Sequence, residues 1–315
     1  MKPTVLMVPR LPAIGADRLR EEYDLLGPMA SPTPDALPPG AERARAMVTM
    51  GSLKTTEALI SALPALELVS VWGTGYDAVD RPALARRGIR LSNAGDANAP
   101  IVAEMAMGLV LATTRLIAAG DRYVRAGRWK GNAVERMPIM PGLAGKRLGI
   151  YGLGAIGTRV AARAAPFEVE IGYHNRRRRD DVPYAYFDNL LALAEWSDVL
   201  VVAVRAGAEN KYSVNAEVLR ALGHTGHLVN ISRGIAVDTS ALCDALEARS
   251  IAGAALDVFE NEPEVPDRLK ALDNVVLTPH LGANTQYSHV AQARMMLDNV
   301  AAHFAGRRPP GLVED

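Results

Sequence analysis

The sequence predicts an α/β protein built from two parallel-sheet domains, each with helices on both faces of its sheet. The chain has 315 residues, more than one hydrophobic core usually serves. Apolar runs of strand length alternate with helical patterns along it, as expected for parallel strands joined by helical crossovers. Hydrophobic residues make up 49% and charged residues 22%, which indicates a folded globular protein rather than a disordered one.

A first series of strands and helices precedes Asn98. The runs TVLMV, ARAMVTM, LELVSVW and GIRLSN predict buried strands, and LKTTEALISAL is one of the helical stretches between them. The Pro-rich segment at residues 27–40 predicts a surface connection. A long apolar helix is predicted from about Asn98 through PIVAEMAMGLVLATTRLIAAG, long enough to join two lobes. The stretch RLGIYGLGAIGTRVAARAA then begins a second series.

Charge balance and cysteine count exclude several classes of function. Lys plus Arg and Asp plus Glu number 35 each, so no overall basic bias favours nucleic acid or an anionic membrane. The single cysteine, Cys243, excludes an intramolecular disulfide and a cysteine-based zinc site within one chain. Its helical surroundings predict a small buried apolar residue. No metal site, membrane span or signal peptide is predicted, so we expect a cytoplasmic protein.

A glycine motif opens the second series. Gly152-x-Gly154-x-x-Gly157 follows an apolar strand and precedes a helix and a second strand. In this context the three glycines permit a tight turn, close approach of the backbone to a pyrophosphate, and close packing of helix on strand. The helix start at Ala155 and Ile156 adds N–H groups and a positive dipole end. The motif therefore predicts a dinucleotide site.

The residues after the second strand of this unit concern the choice of dinucleotide. An acidic residue at this point commonly binds the adenosine ribose, whereas this chain has Asn175, Arg176 and Arg177. Guanidinium groups bind a 2′-phosphate through charge-assisted hydrogen bonds. The replacement of the acidic residue by these residues predicts that the protein prefers NADP(H), while binding of NAD(H) remains possible. In the alternative interpretation, residues 176–179 form a solvated loop balanced by Asp180 and Asp181.

Polar residues follow three apolar strands in the C-terminal third. The stretches HLVNISRG, AGAALDVFENEP and NVVLTPH place Arg233, Asp257, Glu262 and His280 near the carboxyl ends of strands. In an open α/β sheet that edge binds ligands. By contrast, His224 and His227 flank a glycine-containing turn, and neither is assigned a role.

These motifs together resemble one known family. The order GLGAIG, NISRG, LDVFENEP and TPH, with GTGYDAVD near residue 75, resembles the D-2-hydroxyacid dehydrogenase family over nearly the whole chain. The missing acid after the second strand is similar to the NADPH-using glyoxylate and hydroxypyruvate reductases within that family. The resemblance implies a small 2-oxo or 2-hydroxy acid as substrate.

The resemblance also implies a domain plan. A flavodoxin-like substrate-binding domain would consist of residues 1–97 and 286–315, and a Rossmann dinucleotide-binding domain of residues 98–285. The active site would lie in the cleft between two such Rossmann-like domains. Helices between the domains would form a homodimer interface.

Site residues follow from the resemblance by position. Arg233 would bind the substrate carboxylate and 2-oxo group, and His280 would be the acid/base with Glu262 as its partner. Asp257 would hold the nicotinamide carboxamide. The remaining predicted substrate contacts are Trp72, Gly73, Thr74 and Gly75, and the remaining predicted cofactor contacts are Val204, Arg205, Ile231 and Gly282. His280 would also adjoin the cofactor.

The side-chain types suit reduction of a 2-oxo acid. Hydride reaches the carbonyl carbon while a proton must reach the developing alkoxide, and a histidine can supply that proton. A neighbouring carboxylate such as Glu262 should keep His280 protonated, and Arg233 offers a permanent positive charge to a carboxylate.

Several alternatives stay open at this stage. Arg205 either stacks on adenine or touches the 2′-phosphate, or it is simply exposed. Trp72 precedes the carboxylate loop and could narrow the substrate pocket. A hydroxyphenylpyruvate reductase, or a reductase of another 2-oxo acid, is an alternative activity. A dinucleotide-sensing binding protein without turnover is an alternative of another class.

Overall fold

In the computed structural model, which describes residues 2–130, 137–205 and 207–314, the backbone divides into two compact units. The first consists of Met1–Asn98 with Ala283–Asp315, and the second of Ala99–Gly282. Each unit contains one sheet, and all strand pairings within both sheets are parallel. The predicted class, an α/β protein with two parallel-sheet domains, is confirmed.

The strands and helices follow one another along the chain as expected for helical crossovers. The strands are β1 Thr4–Met7, β2 Asp24–Leu26, β3 Ala46–Met50, β4 Leu68–Trp72, β5 Arg90–Ser92, β6 Arg147–Tyr151, β7 Glu170–His174, β8 Ala185–Tyr186, β9 Val199–Val202, β10 His227–Asn230, β11 Gly253–Leu256 and β12 Val275–Leu277. The helices are α1 Ala13–Glu22, α2 Glu57–Ser61, α3 Arg81–Arg86, α4 Ala99–Thr114, α5 Ile117–Arg125, α6 Ala155–Ala164, α7 Leu190–Trp196, α8 Ala216–Leu222, α9 Thr239–Glu247, α10 Asp267–Ala271 and α11 Gln286–Phe304.

The first unit has a five-stranded sheet in the order β2-β1-β3-β4-β5, the flavodoxin-like doubly wound order. Side chains alternate between its two faces along β1. Val5 and Met7 enter a cluster with residues of α1 and α11, whereas Leu6 and Val8 enter the cluster on the opposite side, with residues of α2 and α3. Both faces of this sheet are therefore covered, as parallel sheets require.

The second unit has a seven-stranded sheet in the order β12-β11-β10-β9-β6-β7-β8. Numbered from β6, this is the Rossmann order 3-2-1-4-5-6 with one more strand added at the β12 edge. The chain reverses direction across the sheet at β6, between β7 and β9. The carboxyl ends of β6, β9, β10, β11 and β12 consequently meet at one edge, where ligands bind in such sheets.

The long apolar helix predicted from about Asn98 is present as the 16-residue α4, but its predicted continuation through residue 120 as one helix is wrong. The helix ends at Thr114, and α5 starts at Ile117 after a bend of 60°. Leu116 adopts a left-handed conformation with φ 52°, which a continuing right-handed helix cannot contain. Thr114 Oγ1 also donates back to Val110 O at 2.7 Å, a bond that tends to bend helices. Between residues 2 and 314, leaving aside 131–136 and 206, no single helix is long and apolar enough to cross a membrane, although α4 and α5 together pass that test across their bend.

Two buried residues of the second unit bear on the sequence interpretation. Cys243 is 2% exposed on α9, which confirms the prediction of a small buried residue, and burial raises the pKa of its thiol. His227 directly follows the turn closed by the bond from Gly226 N to Gly223 O, as predicted, and it begins β10, where it is 5% exposed. Its Nδ1 lies 3.1 Å from Thr113 Oγ1 on α4. Burial lowers the pKa of His227 from 6.5 to about 4.

The lowered pKa of His227 makes the stability of this unit depend on pH. Between pH 6.5 and 4 the unfolded chain binds a proton at His227 that the folded chain does not, so the free energy of unfolding decreases as the pH falls through that range. Protonation of this residue alone should lower the free energy of unfolding by about 2 kcal/mol between pH 7 and pH 4.5. Because glutamine does not titrate, we expect His227→Gln to abolish this part of the decrease in the free energy of unfolding, as measured by urea unfolding at the two pH values. The exposed His224→Gln is the matched control, and equal pH dependence in both variants would contradict the assignment.

Candidate active site

The glycine loop after β6 is shaped by backbone contacts that exclude side chains. Gly152 has φ +100°, and a Cβ there would lie 2.7 Å from Val204 N. A Cβ on Gly157 would lie 2.1 Å from Gly152 O, so α6 packs directly on the turn. A Cβ on Gly154 would meet no atom within 4 Å. The space beside Gly154 is thus open to a ligand, whereas the surrounding backbone leaves no room for a side chain at Gly152 or Gly157.

The N-terminus of α6 is free to bind an anion. Gly154 is its N-cap and has no side chain to accept a hydrogen bond. No oxygen in the described ranges accepts the N–H groups of Ala155 or Ile156. Free N–H groups and the positive end of the helix dipole together favour a phosphate at this position.

Asn175 and Arg179 brace the glycine loop from the end of β7. Asn175 Oδ1 accepts a hydrogen bond from Leu153 N at 2.7 Å. Arg179 Nη1 donates to Leu153 O at 3.0 Å and to Thr158 Oγ1 at 2.8 Å, and its guanidinium also pairs with Asp181. These two residues therefore support the loop backbone.

The four arginines divide into two pairs with different surroundings. Arg178 lies 3.5 Å from Asp180, and Arg179 pairs with Asp181. Arg176 and Arg177 are exposed, and no carboxylate in the described part of the chain forms an ion pair with either of them. The alternative interpretation of a charge-balanced loop thus holds for Arg178 and Arg179. Arg176 and Arg177 are left to bind an external anion.

Glu262 and His280 are brought together by the loops after β11 and β12. Glu262 Oε2 lies 2.7 Å from His280 Nδ1, and Glu262 Oε1 accepts from Phe259 N at 2.9 Å. The His280 side chain is 47% exposed, and within the described residues its Nε2 has no partner. His280 also has φ +52°, a conformation that is rare for a non-glycine residue and is concentrated at functional sites.

Asp257 fixes the segment that carries His280. Its carboxylate is buried, with the residue 2% exposed. It accepts from Thr278 Oγ1 at 2.6 Å and from the N–H groups of Leu281 and Gly282, both at 2.8 Å. His280 N donates to the Asp257 backbone carbonyl at 2.9 Å. This structural role was not predicted, and its only signal in the sequence is an acidic residue directly after an apolar strand.

Arg233 lies in a turn that contacts the Glu262 loop. Its Nη1 donates to Ser232 O at 2.8 Å, and its carbonyl accepts from the buried Asn230 Nδ2 at 3.0 Å. A Cβ on Gly234 would lie 1.9 Å from the Phe259 carbonyl carbon. The backbones that carry Arg233 and Glu262 are therefore in direct contact through Gly234.

The remaining predicted cofactor positions follow β9 and β10. Val204 N lies beneath Gly152, and Ile231 is buried directly after β10. Arg205 is exposed, and its carbonyl accepts from Asn210 Nδ2 at 2.7 Å. Asn210 Oδ1 in turn accepts from Tyr151 OH at 2.9 Å. These hydrogen bonds fix the backbone at Arg205 beside the glycine loop.

Trp72 and the loop after β4 belong to the first unit. Trp72 is 7% exposed and packs in the cluster of α1 and α11, where a Cβ on Gly15 would lie 2.7 Å from its ring. This packing favours a core role for Trp72 over contact with substrate. Its burial follows from the apolar face that β4 turns toward these two helices.

Residues 73–75 form a loop held by neighbouring polar groups. Asn93 Nδ2 donates to Thr74 O at 2.7 Å, and Thr74 Oγ1 lies 2.8 Å from Gly95 O. In the described ranges, no oxygen accepts the N–H groups of Gly73, Thr74 or Gly75. Three successive free donors suit an anionic ligand such as a carboxylate.

A match to a known domain identifies the family. The sequence profile of the NAD binding domain of D-isomer specific 2-hydroxyacid dehydrogenases matches residues 107–282, more than half of the chain. The chain belongs to this dehydrogenase family. The resemblance seen in the motifs is thereby confirmed, and so is a nicotinamide dinucleotide as the class of cofactor.

Individual members of the dehydrogenase family match nearly the whole chain. Glyoxylate/hydroxypyruvate reductase A of Arabidopsis thaliana is 40% identical over 96% of this chain and 96% of its own. Hydroxyphenylpyruvate reductase of Plectranthus scutellarioides is 42% identical over 85% of this chain and 84% of its own. The crystal structure of the NADPH-dependent glyoxylate/hydroxypyruvate reductase of Sinorhizobium meliloti with NADP and malonate has a TM-score of 0.92 at 35% identity, covering 99% of this chain and 97% of that one.

The second unit of this dehydrogenase groups most of the predicted residues at one sheet edge. Glu262 and His280 are in contact, Asp257 holds the His280 segment, and Gly234 joins the Arg233 turn to the Glu262 loop. This set provides a proton donor, a fixed positive charge and a carboxylate partner, which suffices for acid/base catalysis at a carbonyl. Across residues 2–130, 137–205 and 207–314, no three His, Cys, Asp or Glu side chains are grouped as metal ligands.

The glycine geometry predicts opposite effects for two substitutions. Gly154→Ala adds a methyl group to open space, so we expect the melting temperature to stay close to wild type while dinucleotide affinity falls at least about tenfold, because the methyl group occupies the approach to the phosphates. Gly157→Ala is the matched comparison. Its Cβ would overlap Gly152 O, so we expect destabilisation by about 2 kcal/mol or more. Fluorescence titration with NADPH and thermal unfolding measure both effects, and wild-type affinity in Gly154→Ala would contradict the assignment.

Proposed function

We propose that this protein is an NADPH-dependent reductase of small 2-oxo acids, such as glyoxylate and hydroxypyruvate, with His280 as the acid/base. The observation that carries the proposal is the 2.7 Å contact between Glu262 Oε2 and His280 Nδ1, at the same sheet edge as the glycine loop after β6. Relatives named glyoxylate/hydroxypyruvate reductase, one of them 40% identical over 96% of the chain, support this choice of substrate class.

The side chains of the second unit supply the proton and the charge for this reaction. The Glu262 carboxylate accepts the Nδ1 proton of His280, so Nε2 is left to donate a proton to the developing alkoxide. Arg233 binds the substrate carboxylate and polarises the 2-oxo group through its permanent charge. When bound, NADPH supplies the hydride. The predicted role of residues 73–75 in binding the carboxylate is supported by their three free N–H groups.

The chain's own residues fit a dinucleotide with a 2′-phosphate. The open space beside Gly154 and the uncapped start of α6 suit the pyrophosphate. Arg176 and Arg177 are the cations proposed for the 2′-phosphate, because Arg178 and Arg179 already pair with Asp180 and Asp181. Asp257 and Gly282 are proposed to adjoin the nicotinamide. These features support NADP(H) over NAD(H) as the preferred cofactor.

Hydroxyphenylpyruvate is the second candidate substrate. The relative from Plectranthus scutellarioides, 42% identical over 85% of this chain, is named for that activity. A dinucleotide-sensing protein without turnover is less well supported, since such a protein has no need of Glu262 and His280 in contact beside an arginine-bearing turn.

The reaction is tested by initial rates of NADPH and NADH oxidation with glyoxylate, hydroxypyruvate and 4-hydroxyphenylpyruvate. We expect turnover with NADPH, and we expect His280→Gln to lower kcat by about 100-fold or more because the proton donor is lost. NADPH affinity of that variant, followed by fluorescence, should stay near wild type. Tight NADPH binding by the wild type without turnover of any 2-oxo acid would overturn the reductase proposal in favour of the sensing protein.

The cofactor preference is tested with Arg176→Ala/Arg177→Ala. We expect the KM for NADPH to rise by about 10- to 100-fold, since two charge-assisted contacts to the 2′-phosphate are lost. The KM for NADH should hardly change, because NADH lacks that phosphate. Arg178→Ala is the matched control, an exposed arginine of the same loop already paired with Asp180. An unchanged ratio of the KM values for NADPH and NADH in the double variant would show that another group binds the 2′-phosphate.

A homodimer is the assembly that we propose, with α5 in the interface. None of the residues of α5 is buried. Ile117 is 56% and Val124 52% exposed, and after the helix Trp129 is 55% and Ile139 98% exposed. A contiguous patch of exposed apolar side chains commonly marks an interface. Light scattering should give twice the mass of one chain, and the mass of a single chain would contradict the proposal.

The cytoplasm is the location that we propose. The one cysteine, Cys243, is buried, so the protein does not rely on disulfides of its own. A reducing compartment also supplies NADPH for the proposed direction of reaction.

A further inference from the structure

Tyr212 lies where three loops of the second unit meet. Its N–H donates to Ile235 O at 2.8 Å, two residues beyond Arg233. Its hydroxyl donates to Glu260 Oε1, two residues before Glu262. Tyr212 itself belongs to the loop after β9 and has φ +51°, a left-handed conformation that costs energy for a bulky residue. Through its backbone N–H and its hydroxyl, this one residue connects the loops that carry Arg205, Arg233 and Glu262.

The turn formed by residues 259–262 is packed at its start and exposed further along. Phe259 is 9% exposed and belongs to the core cluster of this unit, whereas Asn261 and Glu262 are exposed. Phe259, Glu260 and Asn261 are among the residues that line a cavity of about 380 Å³. Because close packing fixes only the start of the turn, the position of its exposed part depends on polar contacts.

Several polar contacts hold this turn, among them a hydrogen bond from Glu264 N to Asn261 O at 2.9 Å. Phe259 N donates to Glu262 Oε1 at 2.9 Å, which ties the two ends of the turn to each other. The Phe259 and Glu260 backbone lies against Gly234. The hydrogen bond from Tyr212 to the Glu260 carboxylate connects the turn to the loop after β9. The same hydrogen bond raises the pKa of Tyr212 above its ordinary value.

We propose that Tyr212 is a positioning residue for the reaction, which anchors Glu260 and thereby holds the turn of residues 259–262 with Glu262 against His280. The inference rests on the proposed reductase function. Tyr212 is not among the residues proposed above to bind substrate or cofactor. Its effect passes through Glu260 to the angle at which Glu262 orients the imidazole, and a small displacement of such a group slows proton transfer markedly.

The test is Tyr212→Phe, which removes the hydroxyl and keeps the ring. We expect kcat to fall by about three- to tenfold, while the KM for NADPH and the melting temperature stay near wild type. Tyr184→Phe is the matched control, because Tyr184 is a partly exposed tyrosine of the same unit and its hydroxyl has no partner among the described residues. A purely structural role of Tyr212 would lower the melting temperature and leave kcat unchanged.

A double-mutant cycle with Glu260 tests the route of the effect. Glu260→Ala should lower kcat by a similar factor, and the double variant Tyr212→Phe/Glu260→Ala should be no slower than either single variant, because both remove the same contact. Glu260→Gln keeps an acceptor oxygen and should retain more activity than Glu260→Ala. Additive losses, or a kcat of Tyr212→Phe equal to wild type, would overturn the inference while the reductase function stands. A wild type without turnover would instead overturn the reductase function itself.

Discussion

At the end of β11 the buried Asp257 carboxylate accepts three hydrogen bonds from the segment that follows β12. Burial of a charged carboxylate is costly unless it is fully hydrogen-bonded. Displacement of any of the three donors would therefore cost free energy, which holds the segment after β12 in place. His280 lies within this segment and donates its own N–H to the Asp257 carbonyl. The left-handed conformation of His280 is sustained by these bonds, and the contact with Glu262 depends on it.

Close backbone approach is the second constraint on the site. Gly152 and Gly157 bring α6 onto the turn after β6, and Gly234 brings the Arg233 turn onto the backbone of Phe259. Each approach leaves no room for a side chain, so adjacent loops move little relative to one another. In contrast, Glu260 and Asn261 border a cavity, and hydrogen bonds to Tyr212 and Glu264 hold their segment. The site thus combines closely packed loops with one loop held by polar contacts.

The arginine run shows how identical neighbours acquire different roles. Arg179 turns back to the carbonyl of Leu153 and to Thr158, which makes it part of the support of the glycine loop. Arg178 is paired within the loop. Arg176 and Arg177 come first after Asn175 and point to no acidic group in the described ranges. The arginines that are available to bind an anionic ligand are therefore those that do not already contact groups of the protein.

The sequence by itself determined the α/β class, the glycine motif, and the identity of the arginine, glutamate and histidine at the strand ends. These features are local, because strand patterns, glycine spacing and polar residues after a strand can be read within a few positions. Only the tertiary structure decided the break between α4 and α5, the burial of His227 and Trp72, the three bonds to Asp257, and the contact of Tyr212 with Glu260. The break between the helices follows from local features, the conformation of Leu116 and the bond from Thr114 to Val110. The other features depend on residues far apart in the chain, which the packing of helices and loops on the sheet brings together.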